Sequence, residues 1–197
     1  MKFPGPLEIV EKVTSIFDSL NIPYFIGGSL ASSLQGIPRA TQDIDFIADI
    51  NNTIIPKLID AFKEEFYIDE NMVEEAIEHK SSFNIIHLKT IYKADIFVPD
   101  NRAFQDEMSR RVHYFIPDKI NKEIFIASAE DIIIQKLRWF RLGGEVSEKQ
   151  WNDVLGVVRV QFDKLDLNYL KTQSEKYDLT ILLEKVLDDS KLSKSKM

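Results

Sequence analysis

A short apolar strand, a glycine-rich turn and a second strand carrying two aspartates, in that order, restrict this chain more than any other feature of its sequence. Tyr24-Phe25-Ile26 reads as a strand that runs into Gly27-Gly28-Ser29. Ser29 to Gln35 reads as a short helix closed by Gly36. Thirteen residues separate Ser29 from Asp43-Ile44-Asp45-Phe46, where the next strand runs to Ala48. Residues two apart on a strand share a face, so Asp43 and Asp45 project together while Ile44 and Phe46 turn to the core. Two adjacent acids repel unless a cation sits between them. The chain has no cysteine, and oxygen-only ligands suit a hard ion such as Mg²⁺ or Mn²⁺. The Gly27-Gly28-Ser29 turn joins a strand to a helix start, where amides and the Ser29 hydroxyl can hold phosphate oxygens. The plain alternative is a solvated strand edge beside an ordinary turn. The ordered combination argues against it.

The rest of the chain divides by character. Leu7 to Leu20 is one amphipathic helix, with apolar Leu7, Val10, Val13, Phe17 and Leu20. A helix is expected from about Thr53 to Phe66, then strands at Phe83–Leu88, Tyr92–Val98 and Glu123–Ile126. From Ser128 onward only helices are expected. Ser128-Ala129-Glu130-Asp131 and Ser147-Glu148-Lys149-Gln150 read as capping boxes. They open helices to Leu142 and to about Phe162, with one or two more helices across Asn168 to Leu187. The expected organisation is a core over 1–127, a helical subdomain over 128–190 and a disordered tail over 191–197.

Composition narrows the function classes. With 44% hydrophobic and 29% charged residues the chain has material for a real core. A formal charge of −7 argues against non-specific nucleic-acid binding over the whole surface, though not against an RNA end in a locally basic cleft. No apolar run approaches the roughly 20 residues of a membrane span. Met1-Lys2 leads into Phe3-Pro4-Gly5-Pro6 and a charged helix, which offers no signal-peptide core. A cytoplasmic protein is expected. P-loop and nucleophile-elbow motifs are missing from the sequence. His79, His87 and His113 lack metal-ligand spacing and read as structural. Trp139 and Trp151 fall on apolar helix faces and read as core.

Asp95 lies in Lys93-Ala94-Asp95-Ile96-Phe97-Val98, an otherwise apolar strand. A carboxylate there is costly unless it faces a cation or a cleft. Its alternative is an edge-strand acid paired with Lys93 or Arg102. Gly27-Gly28-Ser29, Asp43-Ile44-Asp45 and Asp95 together resemble the signature of the nucleotidyltransferase superfamily with the DNA polymerase β-like fold. More narrowly, Arg39 through Phe46, Ser128 to Asp131 with Gln135-Lys136-Leu137, and Trp151-Asn152-Asp153 are similar to the AbiEii-like abortive-infection toxins.

The resemblance implies an α+β fold: a small mixed sheet flanked by helices, then a helical C-terminal half. It implies transfer of NMP from an NTP such as ATP to an acceptor hydroxyl by a two-metal mechanism. Asp43 and Asp45 would hold Mg²⁺ on the triphosphate, Gly28 and Ser29 would grip its outer phosphates, and Asp95 would serve a second ion and the acceptor's proton. A tRNA end or a protein side chain is the favoured acceptor, and an antitoxin a possible partner. Lys136 shares a helical stripe with Ile132 and Trp139, so it needs an anion or must snorkel; the toxin motif would place it on nucleotide phosphates. Asp153 would be an active-site acid by resemblance, or an ion-pair partner of Arg138 or Arg141. Arg39 reads as a phosphate or acceptor contact, or as a surface arginine. Two rivals remain at this level: a glycosyltransferase-like use of Asp-x-Asp on a nucleotide sugar, and a non-catalytic partner protein.

Overall fold

The structure is a computed structural model describing residues 5–41, 43–116 and 122–194. Gln42, within the Arg39–Phe46 motif, and the end of the expected tail lie outside the described residues. The chain forms two compact units: one takes Met1–Gly27 and Thr41–Ala127, the other Gly28–Ala40 and Ser128–Met197.

The first unit is built on a seven-stranded mixed sheet. Its strands are β1 (Tyr24–Ile26), β2 (Asp43–Ala48), β3 (Phe66–Tyr67), β4 (Ser82–His87), β5 (Lys93–Phe97), β6 (Val112–Ile116) and β7 (Lys122–Ile126), in spatial order β3-β4-β5-β2-β1-β7-β6. The β2–β5 and β1–β7 pairs are parallel and the others antiparallel. Strict alternation decides which face is which. Ile44, Phe46 and Ala48 of β2, Ala94 and Ile96 of β5, and Phe83 and Ile85 of β4 are all buried. The residues between them, among them Asp43, Asp45, Lys93, Asp95 and Asn84, are exposed or half-buried.

The buried face is closed by α1 (Pro6–Ser19) and α3 (Ile55–Phe62). Phe17 of α1 stands 5.6 Å from the Phe46 ring and 6.1 Å from that of Phe62, both edge-on. Each fully buried phenylalanine contributes about 1.5–3 kcal/mol, so this cluster fixes which side of β2 points inward. The carboxylates are left on the other side.

Two stretches differ from the sequence reading. The helix expected to run to Phe66 stops at Phe62, because Phe66 and Tyr67 instead pair with His87 and Ile86 of β4. Helices α4 (Glu70–His79) and α5 (Asn101–Arg110) and strands β3 and β6 were not expected. Asp69 caps α4 by accepting from the Met72 amide at 3.1 Å, and Val73, Ala76 and Ile77 make its buried stripe.

The second unit is helical: α2 (Gly28–Gln35), α6 (Ala129–Leu142), α7 (Glu148–Gln161), α8 (Leu167–Lys176) and α9 (Thr180–Lys194). Helix α9 continues past Ser190, where the sequence suggested a tail would begin. Helix α2 packs on α6 and α7. Close approach requires Gly36: a Cβ there would lie 2.7 Å from the Val157 amide nitrogen. Both serines cap their helices, the Ser128 hydroxyl accepting from the Asp131 amide and Ser147 from the Gln150 amide. The second is not a full capping box, since the buried Gln150 Oε1 has no hydrogen-bond partner among the described residues. Among the described residues no helix is long and apolar enough to cross a membrane.

Candidate active site

In the sheet unit, strand register assembles the acids. Because β2 and β5 run parallel, Asp43 lies beside Lys93, and Asp45 beside Asp95. Antiparallel β4 then sets Asn84 beside Asp95 and Ile86 beside Lys93. The open face therefore carries a row of Asp45, Asp95 and Asn84 next to a row of Asp43, Lys93 and Ile86. The backbone on either side is anchored, with the Gly27 amide donating to the Asp45 carbonyl at 2.9 Å and the Thr41 hydroxyl to the Asp43 carbonyl at 3.1 Å. The Gly27 amide thus serves the sheet, which leaves the turn's donors at Gly28 and beyond.

Lys93 forms an ion pair with Asp95, Nζ to Oδ2 at 3.0 Å. This is one of the two partners expected if Asp95 were only a strand acid; the other, Arg102, has a side chain outside the described ones. The hydrogen bond to Asp95 raises the Lys93 pKa; partial burial works against it, and the charges of Asp95, Asp43 and Asp45 add to it. A cation is thus already drawn to this face, and its donors are oxygens, which fits a hard divalent ion. Among the described residues no three His, Cys, Asp or Glu side chains are clustered closely enough to hold a metal ion.

In the helical unit, Arg39, Lys136 and Ser29 meet around Asp153. Arg39 Nε donates to Asp153 Oδ1 at 2.6 Å and Nη2 to Oδ2 at 2.8 Å, a bidentate pair. The same Nη2 donates to the Ser29 hydroxyl at 2.8 Å. Lys136 Nζ donates to Asp153 Oδ2 at 2.7 Å, and both side chains are nearly inaccessible, at 7% and 5% exposure. Burial alone would push the Asp153 carboxyl up; the hydrogen bonds and charges of Arg39 and Lys136 outweigh it and hold the carboxyl below the usual range. The Asp153 hydrogen bond raises the Arg39 pKa against a smaller cost of burial.

Ser29 lies in the first turn of α2, whose first amides have no partner inside the helix. Gly28 enters that helix with φ of +56°, a left-handed conformation that favours glycine. The turn therefore combines helix-start amides with a hydroxyl held by an arginine.

Several expectations about side chains change. Asp153 pairs with Arg39 and Lys136, not with Arg138 or Arg141. Arg138 lies over the Tyr177 ring at 4.3 Å and Arg141 pairs with Asp178 at 2.8 Å. Lys136 does not snorkel, since its anion is inside the protein. Trp139 does not belong to the core: it is 59% exposed, because the buried stripe of α6 runs through Ile132, Ile133, Lys136, Leu137 and Phe140. Trp151 is half-buried against Phe140, ring centroids 5.2 Å apart. The acids of the first capping box are structural: Asp131 accepts from the Ser128 and Tyr169 hydroxyls, and Glu130 from the Asp166 amide. His87 is buried, with Nδ1 2.7 Å from the Thr90 hydroxyl, and its pKa is lowered chiefly by burial.

Sequence reasoning named Lys93 only as a candidate partner of Asp95, not as a neighbour of Asp43 on the open face. Its place two residues before Asp95 on a strand was the available signal.

Solved structures with the same architecture are nucleotidyltransferases and related proteins. An antigenic nucleotidyltransferase-like protein from Paracoccidioides brasiliensis aligns over 92% of this chain and 91% of its own, with a TM-score of 0.55 and 16% identity. The antibiotic-resistance factor ANT(2")-Ia, in complex with adenylyl-2"-tobramycin, aligns over 87% and 96%, at 0.53 and 13%. The lincosamide antibiotic adenylyltransferase LnuA, lincomycin-bound, aligns over 79% and 98%, at 0.51 and 14%. Neither a protein-family model nor a curated protein sequence matches the chain. The chain has the nucleotidyltransferase fold, in its α+β form with a mixed sheet.

Proposed function

We propose that the protein is a nucleotidyltransferase that moves the NMP of an NTP onto an acceptor hydroxyl and releases pyrophosphate. The observation that carries this reading is the strand register that sets Asp45 beside Asp95, with Asp43 on the same open face. Asp43 and Asp45 would hold Mg²⁺ or Mn²⁺ through their carboxylate oxygens, with Asp95 beside them on the same face. Bound there, the ion would neutralise phosphate charge and polarise the α-phosphoryl group. Asp95 takes the proton of the acceptor hydroxyl as its oxygen forms a bond to the α-phosphorus and the bond to the bridging oxygen of pyrophosphate breaks.

In the helical unit the Gly28 and Ser29 amides, the Ser29 hydroxyl, Arg39 and Lys136 supply donors for phosphate oxygens. Asp153 acts there through Arg39 and Lys136, whose head groups it holds in place. A tRNA end or protein hydroxyl is the favoured acceptor on the toxin resemblance, with an antitoxin as partner. A small-molecule hydroxyl is the second reading, supported by the antibiotic ligands named for two structural neighbours.

Incubation with each NTP labelled at the α-phosphorus, Mg²⁺ and a cell extract tests this. Label in the RNA or protein fraction is expected. Label in small molecules selects the second reading, and no labelled fraction with any NTP rejects nucleotidyl transfer.

A further inference from the structure

We infer that the carboxylate face takes a single divalent cation, held by Asp43 and Asp45, and that the Lys93 ammonium stands on Asp95 in place of a second ion. The inference rests on the metal-dependent reading above and narrows it. Lys93 and Asp95 are two residues apart on β5 and so share the open face. Their ion pair spans 3.0 Å, and the Asp95 side chain is only 20% exposed, so this is not a fully solvated surface contact.

Strand register shows how few carboxylates are left for a second ion. On one side Asp95 is flanked by Asp45, which the first ion needs. On the other side its neighbour is Asn84, and the residue beside Lys93 is Ile86. Strand β4 therefore brings no further carboxylate to this face. A Mg²⁺ ion requires oxygens at about 2.0–2.1 Å in near-octahedral array. An ammonium already bonded to Asp95 would repel a divalent ion sharing the same carboxylate. Three carboxylates, one ammonium and one divalent ion are already neutral together before the triphosphate arrives. Lys93 is thus a built-in cation. The Asp95 oxygen that Lys93 does not contact is left to face the acceptor.

Equilibrium dialysis of the full chain against Mn²⁺ and a non-hydrolysable NTP would count both ligands held per protein. Wild type is expected to hold one Mn²⁺ per nucleotide. Lys93→Met removes the charge, keeps the stem, and is expected to hold two. Lys93→Arg keeps the charge and should return the count to one. Thermal melts of both variants near the wild-type value would show that the fold is intact. Two Mn²⁺ per nucleotide in wild type, or one in Lys93→Met, overturns the role of Lys93 and leaves the metal site standing. Retention of Mn²⁺ by Asp43→Asn at wild-type level, or no Mn²⁺ in wild type, overturns the metal site and this inference with it.

Discussion

Replacing Asp153 by Asn keeps the shape of the side chain and removes a negative charge on which Arg39 and Lys136 converge. Oδ1 accepts from Arg39 Nε, and Oδ2 accepts from both Arg39 Nη2 and Lys136 Nζ. An asparagine has one oxygen to offer. If that oxygen takes the Oδ2 place, the amide NH₂ meets Arg39 Nε, donor against donor. If it takes the Oδ1 place, the NH₂ meets two cationic donors. Either way a nearly inaccessible ammonium loses its contact with the Asp153 carboxylate. Removing one partner of a buried pair costs about 3–5 kcal/mol. Total stabilities run to only about 5–15 kcal/mol, and at this chain length each kcal/mol shifts the midpoint by about 2–4 °C. A fall in Tm of roughly 6–20 °C is therefore expected, read by calorimetry at neutral pH.

The sign of the pH dependence follows from the depressed Asp153 carboxyl. Its contribution is fully present above the unfolded value, about 3.9 for aspartate. It is lost as pH falls through the lower folded value. The gap between wild type and Asp153→Asn should therefore close as the solution is acidified below about pH 4. A Tm within about 2 °C of wild type at neutral pH, or a gap that widens in acid, would refute the reasoning.

Lys136→Met leaves Asp153 its bidentate arginine, so the fold should survive; NTP affinity by calorimetry is expected to fall about tenfold or more, as for loss of a charge-assisted contact. Unchanged affinity with a lowered Tm would mean that Lys136 serves only Asp153. Asp95→Asn should still bind Mg·NTP, while its single-turnover transfer rate falls by at least about 100-fold, the effect of losing a general base. Gly36→Ala places a methyl against the backbone of α7, 2.7 Å from the Val157 amide nitrogen, and should cost about 1–3 kcal/mol in a denaturant titration. Trp139→Ala, at an exposed position, should change stability by no more than about 0.5 kcal/mol in the same titration.

The strand carrying Asp43 and Asp45 was legible because alternation is a local signal: Ile44, Phe46 and Ala48 bury one side and leave the acids on the other. The capping serines were legible for the same reason, each bonding an amide three residues on. Register was not legible. Nothing local says that Asp45 pairs with Asp95, since that depends on β2 and β5 running side by side although α3, β3, α4 and β4 lie between them in the chain. Asp153 shows the same limit, because its partner Arg39 is 114 residues away. Helix α4 could have been read from Asp69 and the Val73, Ala76, Ile77 stripe, but its acidic surface masked the apolar period. Trp139 misled because one helical turn separates it from Lys136 and hydrophobicity alone did not show which side of that stripe was covered. Asp95 was legible as a carboxylate needing a cation or a cleft, and the structure pairs it with Lys93 on its own strand, one of the partners the sequence offered.

The central claim is that this acidic face transfers a nucleotidyl group, and a single-turnover assay tests it most directly. Protein in excess over an NTP labelled at the α-phosphorus, with Mg²⁺ and the cell-extract fraction that takes the label, is sampled for both labelled product and pyrophosphate. Wild type is expected to release one pyrophosphate for each label transferred, and Asp43→Asn to do neither. Near-normal transfer by Asp43→Asn, or pyrophosphate released by wild type without label on any acceptor, would contradict the account.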